Sequence, residues 1–463
     1  MSSLTSVLAR LDADFDKSLE RLFDLLRLKS ISTDTAFKPD CRKAAEWLVA
    51  DLSSIGFEAS LRETPGHPMV VAHYRKAHDA PHVLFYGHYD VQPVDPLELW
   101  KTPPFEPRVE EAADGSKRIV ARGAADDKGQ LLTFVEAARA FLAETGSLPL
   151  NVTILLEGEE ESGSPSLVPF LEATKKELSA DVALICDTSM WNATTPAITT
   201  MLRGLVGEEI VITCADRDLH SGLYGGASWN PIRVLTSILG DLHDETGRVV
   251  LPGFYDGVSD ISPDVKANWD RLDFDETAFL GGVGLKTPAG EAGRTVLEQL
   301  WARPTAEING ISGGYTGEGF KTVLPSKASA KVSFRLVVGQ NPDRIRASFR
   351  KFVEDRLPPD ARVEFHAHGG GPGLKISDEN PALKKALGAL TDEWTQEAAV
   401  IGGGGSIPIV GLFKDILGMD SLLIGFGLDD DRIHSPNEKY EMESFRRGQR
   451  SWARIIAALA DKA

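Results

Sequence analysis

His88-Tyr89-Asp90, Asp126-Asp127-Lys128-Gly129, Glu159-Glu160-Glu161-Ser162-Gly163, Asp187 and His434 form a dispersed series of imidazoles and carboxylates, and four of these five clusters fall at or near the end of an apolar run. Brought together, such groups could hold two divalent cations and activate a water between them, the chemistry of a two-metal hydrolase. His88 and Asp90, two apart at a strand end, can face one side, and Asp90 is the natural partner for the imidazole nitrogen that binds no metal. Asp126 and Asp127 occupy a turn before a helix, and a carboxylate with two oxygens can bridge two cations. Glu157, Glu159, Glu160 and Glu161 directly follow the apolar run 152–156, where like charges repel unless a cation relieves them. Of the adjacent pair Glu160 and Glu161, one could ligate metal while the other, unligated, takes a proton. Seen singly, each cluster has a plainer reading: a hydrogen-bonded histidine pair, an N-cap, a solvated acidic turn, a loop histidine.

The elements that would position them follow from periodicity. Leu4, Val7, Leu8, Leu11, Phe15, Leu19, Leu22, Phe23 and Leu26 recur at three- and four-residue steps and predict one long amphipathic helix. A second helix over 41–55 ends at Gly56, and a third covers 129–145. Short apolar runs at 69–73, 83–86, 152–156, 182–186 and 421–426 alternate with helical segments, which predicts a largely parallel, helix-covered sheet of the α/β class. Ligands gather at the carboxyl ends of strands in such sheets, where His88, Glu160, Glu161 and Asp187 fall. After Arg203-Gly204 the pattern changes to strand 208–214, helix 229–244, strand 328–338, helix 342–357 and strand 361–367, a small inserted α+β (ferredoxin-like) domain. The expected division is 1–205 and 376–463 for the catalytic domain and 206–375 for an inserted lid and dimerisation domain. Residues 248–306, rich in Gly, Pro and Asp, read as an irregular excursion.

Composition narrows the partners. Among 463 residues, 68 acidic against 50 basic side chains give a net charge of −18, which disfavours nucleic acid and anionic membrane surfaces. No stretch offers a membrane span, and residues 1–17 lack the pattern of a secretory signal, so a cytoplasmic location is expected. Cys41, Cys186 and Cys214 form no Cys-x-x-Cys pattern and suggest ordinary thiols.

Six segments appear in one order over nearly the whole chain: 86–93 (Tyr-Gly-His-Tyr-Asp-Val-Gln-Pro), 123–129 (Gly-Ala-Ala-Asp-Asp-Lys-Gly), 157–164 (Glu-Gly-Glu-Glu-Glu-Ser-Gly-Ser), 218–222 (Asp-Leu-His-Ser-Gly), 317–325 (Gly-Glu-Gly-Phe-Lys-Thr-Val-Leu-Pro) and 434–438 (His-Ser-Pro-Asn-Glu). In these the chain resembles the M20 family of metallopeptidases, and within it the carnosinase-like and glutamate-carboxypeptidase-like dipeptidases. The resemblance implies that His88 and Asp187 bind one metal, Glu161 and His434 the other, that Asp126 bridges them, and that Glu160 is the general base with Asp90 supporting His88. It implies zinc first, with manganese or cobalt as alternatives, and a cis Asp126–Asp127 peptide. His220 corresponds to a histidine that stabilises the oxyanion in the partner subunit's site, which implies a homodimer with sites completed across subunits. Thr322, Arg335, His368, Gly405 and Ser406 correspond to substrate contacts, Arg335 to the group that holds a C-terminal carboxylate.

Two departures bear on substrate preference: Gly402 and Gly403 stand where many relatives carry charged residues, and Gln130 replaces a small residue or proline. The expected activity is hydrolysis of a dipeptide or short peptide bearing a free carboxylate. The alternatives are an N-acyl-amino-acid deacylase of the acetylornithine or succinyl-diaminopimelate type and a catalytically silent metal-binding protein. Retention of Glu160 argues against the last.

Overall fold

Strands His82–His88, Asn151–Glu157, Val182–Ile185 and Ser421–Leu423 form the parallel centre of a large sheet, in the order Asn151–Glu157, His82–His88, Val182–Ile185, Ser421–Leu423. Their side chains are buried almost throughout, as expected for strands covered on both faces. Antiparallel strands flank this centre: Met69–Tyr74 and then Glu58–Arg62 on one side, Ala197–Leu202 on the other. The computed structural model describes residues 3–77, 79–405 and 407–461. The chain divides into two units, Met1–Thr200 with Ile376–Ile401 and Leu412–Ala463, and Met201–Lys375 with Gly402–Gly411.

In the first unit helix Lys128–Thr145 packs on strand His82–His88 and against helix Met442–Ala460. Phe85 stacks on Phe134 at 4.0 Å between ring centroids, and Trp452 meets both rings edge-on. Each such buried aromatic contributes about 1.5–3 kcal/mol by leaving water. The predicted opening helix is two, Ser3–Ala13 and Phe15–Leu26, broken at Asp14. Lys128 is fully buried and donates to the carbonyls of Leu25 at 3.2 Å and Leu28 at 2.7 Å, tying the end of the second helix to the start of the helix that follows Asp127. Burial lowers its pKa to about 7.

The second unit has the order strand Gly204–Thr213, helix Pro231–Gly240, strand Thr305–Gly313, strand Lys327–Leu336, helix Pro342–Glu354, strand Arg362–Gly371. Its antiparallel sheet runs Thr305–Gly313, Lys327–Leu336, Gly204–Thr213, Arg362–Gly371. This is the ferredoxin-like βαββαβ arrangement. Val206, Ile210, Ile212, Leu235, Phe334 and Phe349 lie in its core. The segment expected to be irregular holds helices Pro263–Asp270 and Glu276–Gly281, and a buried Arg303–Glu291 pair at 2.5 Å fastens it. Among the described residues no helix is long and apolar enough to cross a membrane.

Candidate metal centre

The parallel registers set His88 opposite Glu157 and Tyr86 opposite Ile185, so the chain leaves three adjacent strands at the same edge. That edge receives His88, the Glu159–Glu161 turn and Asp187. Asp126 arrives from the turn before helix Lys128–Thr145, and His434 from the loop before strand Lys439–Glu441. Two groups of donor atoms result, His88 with Asp126 and Asp187, and Asp126 with Glu161 and His434; within each group the atoms lie within 4.8 Å of one another.

Asp126 belongs to both groups through different oxygens. Its Oδ1 is 3.1 Å from His88 Nε2, and its Oδ2 is 2.9 Å from His434 Nε2. Asp187 Oδ2 is 3.8 Å from His88 Nε2, and Glu161 Oε2 is 3.2 Å from His434 Nε2. Glu161 Oε1 is buried without a hydrogen-bond partner. A desolvated carboxylate oxygen facing no donor is costly, and a divalent cation would satisfy it. Three carboxylates and two imidazoles, with both imidazoles beside the one shared carboxylate of Asp126, fit a pair of hard or borderline cations.

The electrostatics describe a cluster that holds protons in place of cations. Burial, then Asp126, raises Asp187 to about 7. Hydrogen bonds to Asp126 and Glu161 raise His434 to about 10. Burial works against the His88 imidazolium, but the hydrogen bonds to Asp126 and Asp90 outweigh it and hold the pKa well above the ordinary range. Burial also raises Glu160, reinforced by Glu161, Asp90 and Asp126 against the opposing pull of His88. The Glu160 carboxylate has no hydrogen bond or ion pair among the described residues and belongs to neither donor group.

The surrounding residues fix this arrangement. Asp90 does more than support His88: its backbone carbonyl lies 3.2 Å from His88 Nδ1, with its carboxylate at 3.4 Å, and that carboxylate accepts from the N–H groups of Glu160 at 3.3 Å and Glu161 at 3.0 Å. Asp127 stands at the N-cap position but caps nothing; its Oδ2 accepts from His88 N at 3.0 Å. Glu159 holds the Glu160–Glu161 turn in place by accepting from His67 N at 2.7 Å and Ser166 N at 3.0 Å. Glu157, raised to about 7 by burial, accepts from Tyr86 at 2.6 Å. The peptide between Asp126 and Asp127 is cis.

Glu438 has a part that its place in the sequence did not reveal. Its Oε1 accepts from Ala125 N at 2.9 Å and Asp126 N at 3.1 Å, and its Oε2 from Gly123 N at 2.9 Å and Arg122 at 2.8 Å. One buried carboxylate thus ties the Asp126 turn to the segment that carries His434. The acid four residues after His434 was the available signal. Gly129 is required because a Cβ there would lie 2.0 Å from the Ala124 carbonyl oxygen. Gln130 accepts from Phe426 N at 2.7 Å, so it braces the fold.

The second unit holds the other candidates. His220 pairs with Val323 across a two-residue ladder, and Ser221 N donates to Thr322 O at 3.0 Å, which makes His220 and Thr322 neighbours. Arg335 lies opposite Leu205 and His368 opposite Gly207. Alternation along the strand puts both on the sheet face away from the core. Gly207 meets the His368 side chain, which a Cβ there would approach to 2.9 Å. Arg203 donates to Gly404 O at 3.0 Å, and burial followed by repulsion from Arg335 lowers it to about 10. Gly402 abuts Trp301, whose Cβ would lie 2.5 Å from an added methyl, so a larger residue is excluded here by packing. Gly405 is described and Ser406 lies outside the described residues.

Residues 84–458 match peptidase family M20/M25/M40. The chain is 31% identical over 457 residues to the Cys-Gly metallodipeptidase DUG1 of Candida albicans, covering 93% of this chain and 92% of that one. It is 29% identical over 443 residues to the Beta-Ala-His dipeptidase of Homo sapiens, covering 94% and 85%. An M20 family metallo-carboxypeptidase from Sulfolobus solfataricus has the same fold, with a TM-score of 0.79 at 30% identity over 96% of this chain and 99% of that one. With its donor residues at the strand ends and this match over most of its length, the chain belongs to peptidase family M20/M25/M40.

Proposed function

We propose that this protein is a metal-dependent dipeptidase that hydrolyses the amide bond of dipeptides or short peptides bearing a free carboxylate. The observation that carries the reading is Asp126, whose two oxygens serve two separate donor groups while Glu160 stays outside both. His88 and Asp187 would hold one cation, Glu161 and His434 the other, and Asp126 both. Zinc is the first choice, with manganese or cobalt as alternatives. When bound, the pair supplies Lewis-acid polarisation of the scissile carbonyl and acidifies water. Glu160 takes the proton as the water oxygen bonds to the carbonyl carbon, then delivers it to the nitrogen as the C–N bond breaks.

His220 of the partner subunit is the proposed oxyanion donor, and the protein is a homodimer on this reading. Residues 206–375 form the lid and dimerisation domain. Arg335 pairs with the substrate carboxylate, with Thr322, His368, Gly405 and Ser406 as further contacts. The Candida albicans and human relatives are dipeptidases, which favours this reading over the deacylase. The absence of a membrane-crossing helix among the described residues is compatible with the proposed cytoplasmic location.

The test is a panel of dipeptides and N-acyl amino acids given to metal-stripped protein and to protein reloaded with zinc, manganese or cobalt. Metal-dependent dipeptide cleavage is the expected result. Cleavage of acyl amino acids alone would move the enzyme to the deacylase class, and silence with both metals bound would overturn the catalytic reading.

A further inference from the structure

A cavity of about 790 Å³ opens in the first unit between the end of helix Phe15–Leu26 and the segment 94–106. Its volume lies within the range of about 300–1,000 Å³ found for small-molecule sites. Phe37, Val94, Trp100 and Phe105 give it an apolar wall, and Lys29 and Lys101 stand among the lining residues. Neither lysine has a carboxylate partner among the described residues, whereas Arg27, also in the lining, is paired with Asp24 at 2.7 Å. Glu106 is the one acid in the lining. Lys29 Nζ lies over the Phe105 ring at 6.0 Å from its centroid, and the two lysines against one acid give this wall a local positive balance on a chain of net charge −18. Thr102, also in the lining, keeps its hydroxyl buried with no hydrogen-bond partner. None of these residues takes part in the metal centre.

We infer that this cavity is a binding site for a small amphipathic carboxylate, with an aromatic or short aliphatic body against Phe37, Trp100 and Phe105 and its anionic end between Lys29 and Lys101. Burial of the body supplies the apolar gain, and two cations select charge over a neutral isostere. The wall is also joined to the segments bearing the proposed ligands. Trp100 lies under the Arg122 guanidinium at 5.4 Å, and Arg122 donates to Glu438 at 2.8 Å, the carboxylate that holds Asp126 N. Lys101 N donates to Asn437 Oδ1 at 2.8 Å, and Asn437 Nδ2 donates to Leu99 O at 2.8 Å. A ligand that shifts this wall therefore acts on both the Asp126 turn and the His434 loop, and changes turnover without entering the metal centre.

The experiment titrates metal-loaded full-length protein with 4-phenylbutyrate and with its neutral amide, by calorimetry, and repeats both on metal-stripped protein and on Lys29→Glu/Lys101→Glu. Both lysines are exposed, so the double variant should fold. The expected result is one saturable site for the carboxylate that survives metal removal, weakens at least about tenfold in the variant and binds the amide at least about tenfold more weakly. Binding lost on metal removal and unchanged in the variant would place the carboxylate in the metal centre and overturn the proposal. Equal binding of acid and amide, or no saturable binding, would overturn it too. Metal-loaded turnover measured with the carboxylate present should change in the parent protein and stay constant in the variant; unchanged turnover in the parent would sever the link to the Asp126 turn. Because the calorimetric arms need no turnover, they stand even if the dipeptidase reading fails.

Discussion

In the first unit, Asp90, Asp127 and Glu438 each direct a carboxylate at the backbone N–H of a proposed ligand, and Glu159 anchors the turn that carries Glu161, so the donor cluster is fixed before any ligand arrives. In the second unit, Arg335 and the Thr322 side chain have no polar partner among the described residues, and His220 is exposed, accepting only from Gly222 N at 3.0 Å within its own turn. Phe320, beside them in sequence, is 92% exposed. The first arrangement suits ions, whose ligands must converge within a few tenths of an ångström. The second suits a surface that becomes engaged when a substrate or another subunit meets it. On this contrast, substitutions in the first unit should divide into those that alter metal retention and those that alter the chemical step, whereas substitutions in the second should leave metal content alone.

The sharpest break would come from Glu160→Gln. It removes the proposed base without touching either donor group, so kcat should fall about 10²–10⁴-fold while metal content by elemental analysis stays at two per chain. Loss of metal would instead make Glu160 a ligand. His220→Ala tests the other side of the contrast. Loss of one oxyanion donor should lower kcat about 10²–10³-fold, again with both metals retained. Mixing it with Glu160→Gln should restore part of the activity if each site draws on two subunits. No recovery despite proven subunit exchange would argue against shared sites.

That contrast was partly legible in the sequence. Charge that follows directly on an apolar run marks a strand's carboxyl end, which is why His88, Glu160, Glu161 and Asp187 could be placed at one edge before their distances were known. The support around them was less visible. Asp127 occupies the position of an N-cap, and only the fold turns its carboxylate to His88 N. Glu438 is distant in sequence from the turn it holds, so its place four residues after His434 marks an acid without revealing which N–H groups it takes. The break at Asp14 was hidden because the helices on either side both bury apolar residues, Val7 and Leu11 before it and Leu22 and Leu25 after it. Strand Thr305–Gly313 escaped because most of its residues are exposed, which removes the alternation by which strands are recognised.

Glu438→Gln should have a smaller effect than either preceding substitution. The amide keeps the shape but loses charge and one acceptor for Gly123, Ala125, Asp126 and Arg122. Support one step removed from a ligand affects metal affinity about 10–100-fold. Competition with a fluorescent chelator would read this directly. Unchanged affinity would mean that the Asp126 turn keeps its shape without the carboxylate.

The smallest effect concerns pH. In the metal-free protein, hydrogen bonds to Asp126 and Glu161 raise His434 from 6.5 to about 10, so their contribution to stability is complete below about 6.5 and is lost as pH rises through about 10. Asp187 acts in the same direction. Burial and Asp126 raise it from 3.8 to about 7, so the folded metal-free chain binds the proton more tightly than the unfolded one and loses stability over that interval as pH rises. A cation needs both groups deprotonated and must displace these protons to bind. The gap in Tm between metal-loaded and metal-free protein should therefore widen from about pH 5.5 to about pH 8.5, and calorimetric metal binding should release protons in that range. His434→Ala should flatten the dependence, while His220→Ala should leave it unchanged. A gap independent of pH would mean that the donor cluster does not hold protons in the place of cations, and the contrast between the two units would lose its electrostatic basis.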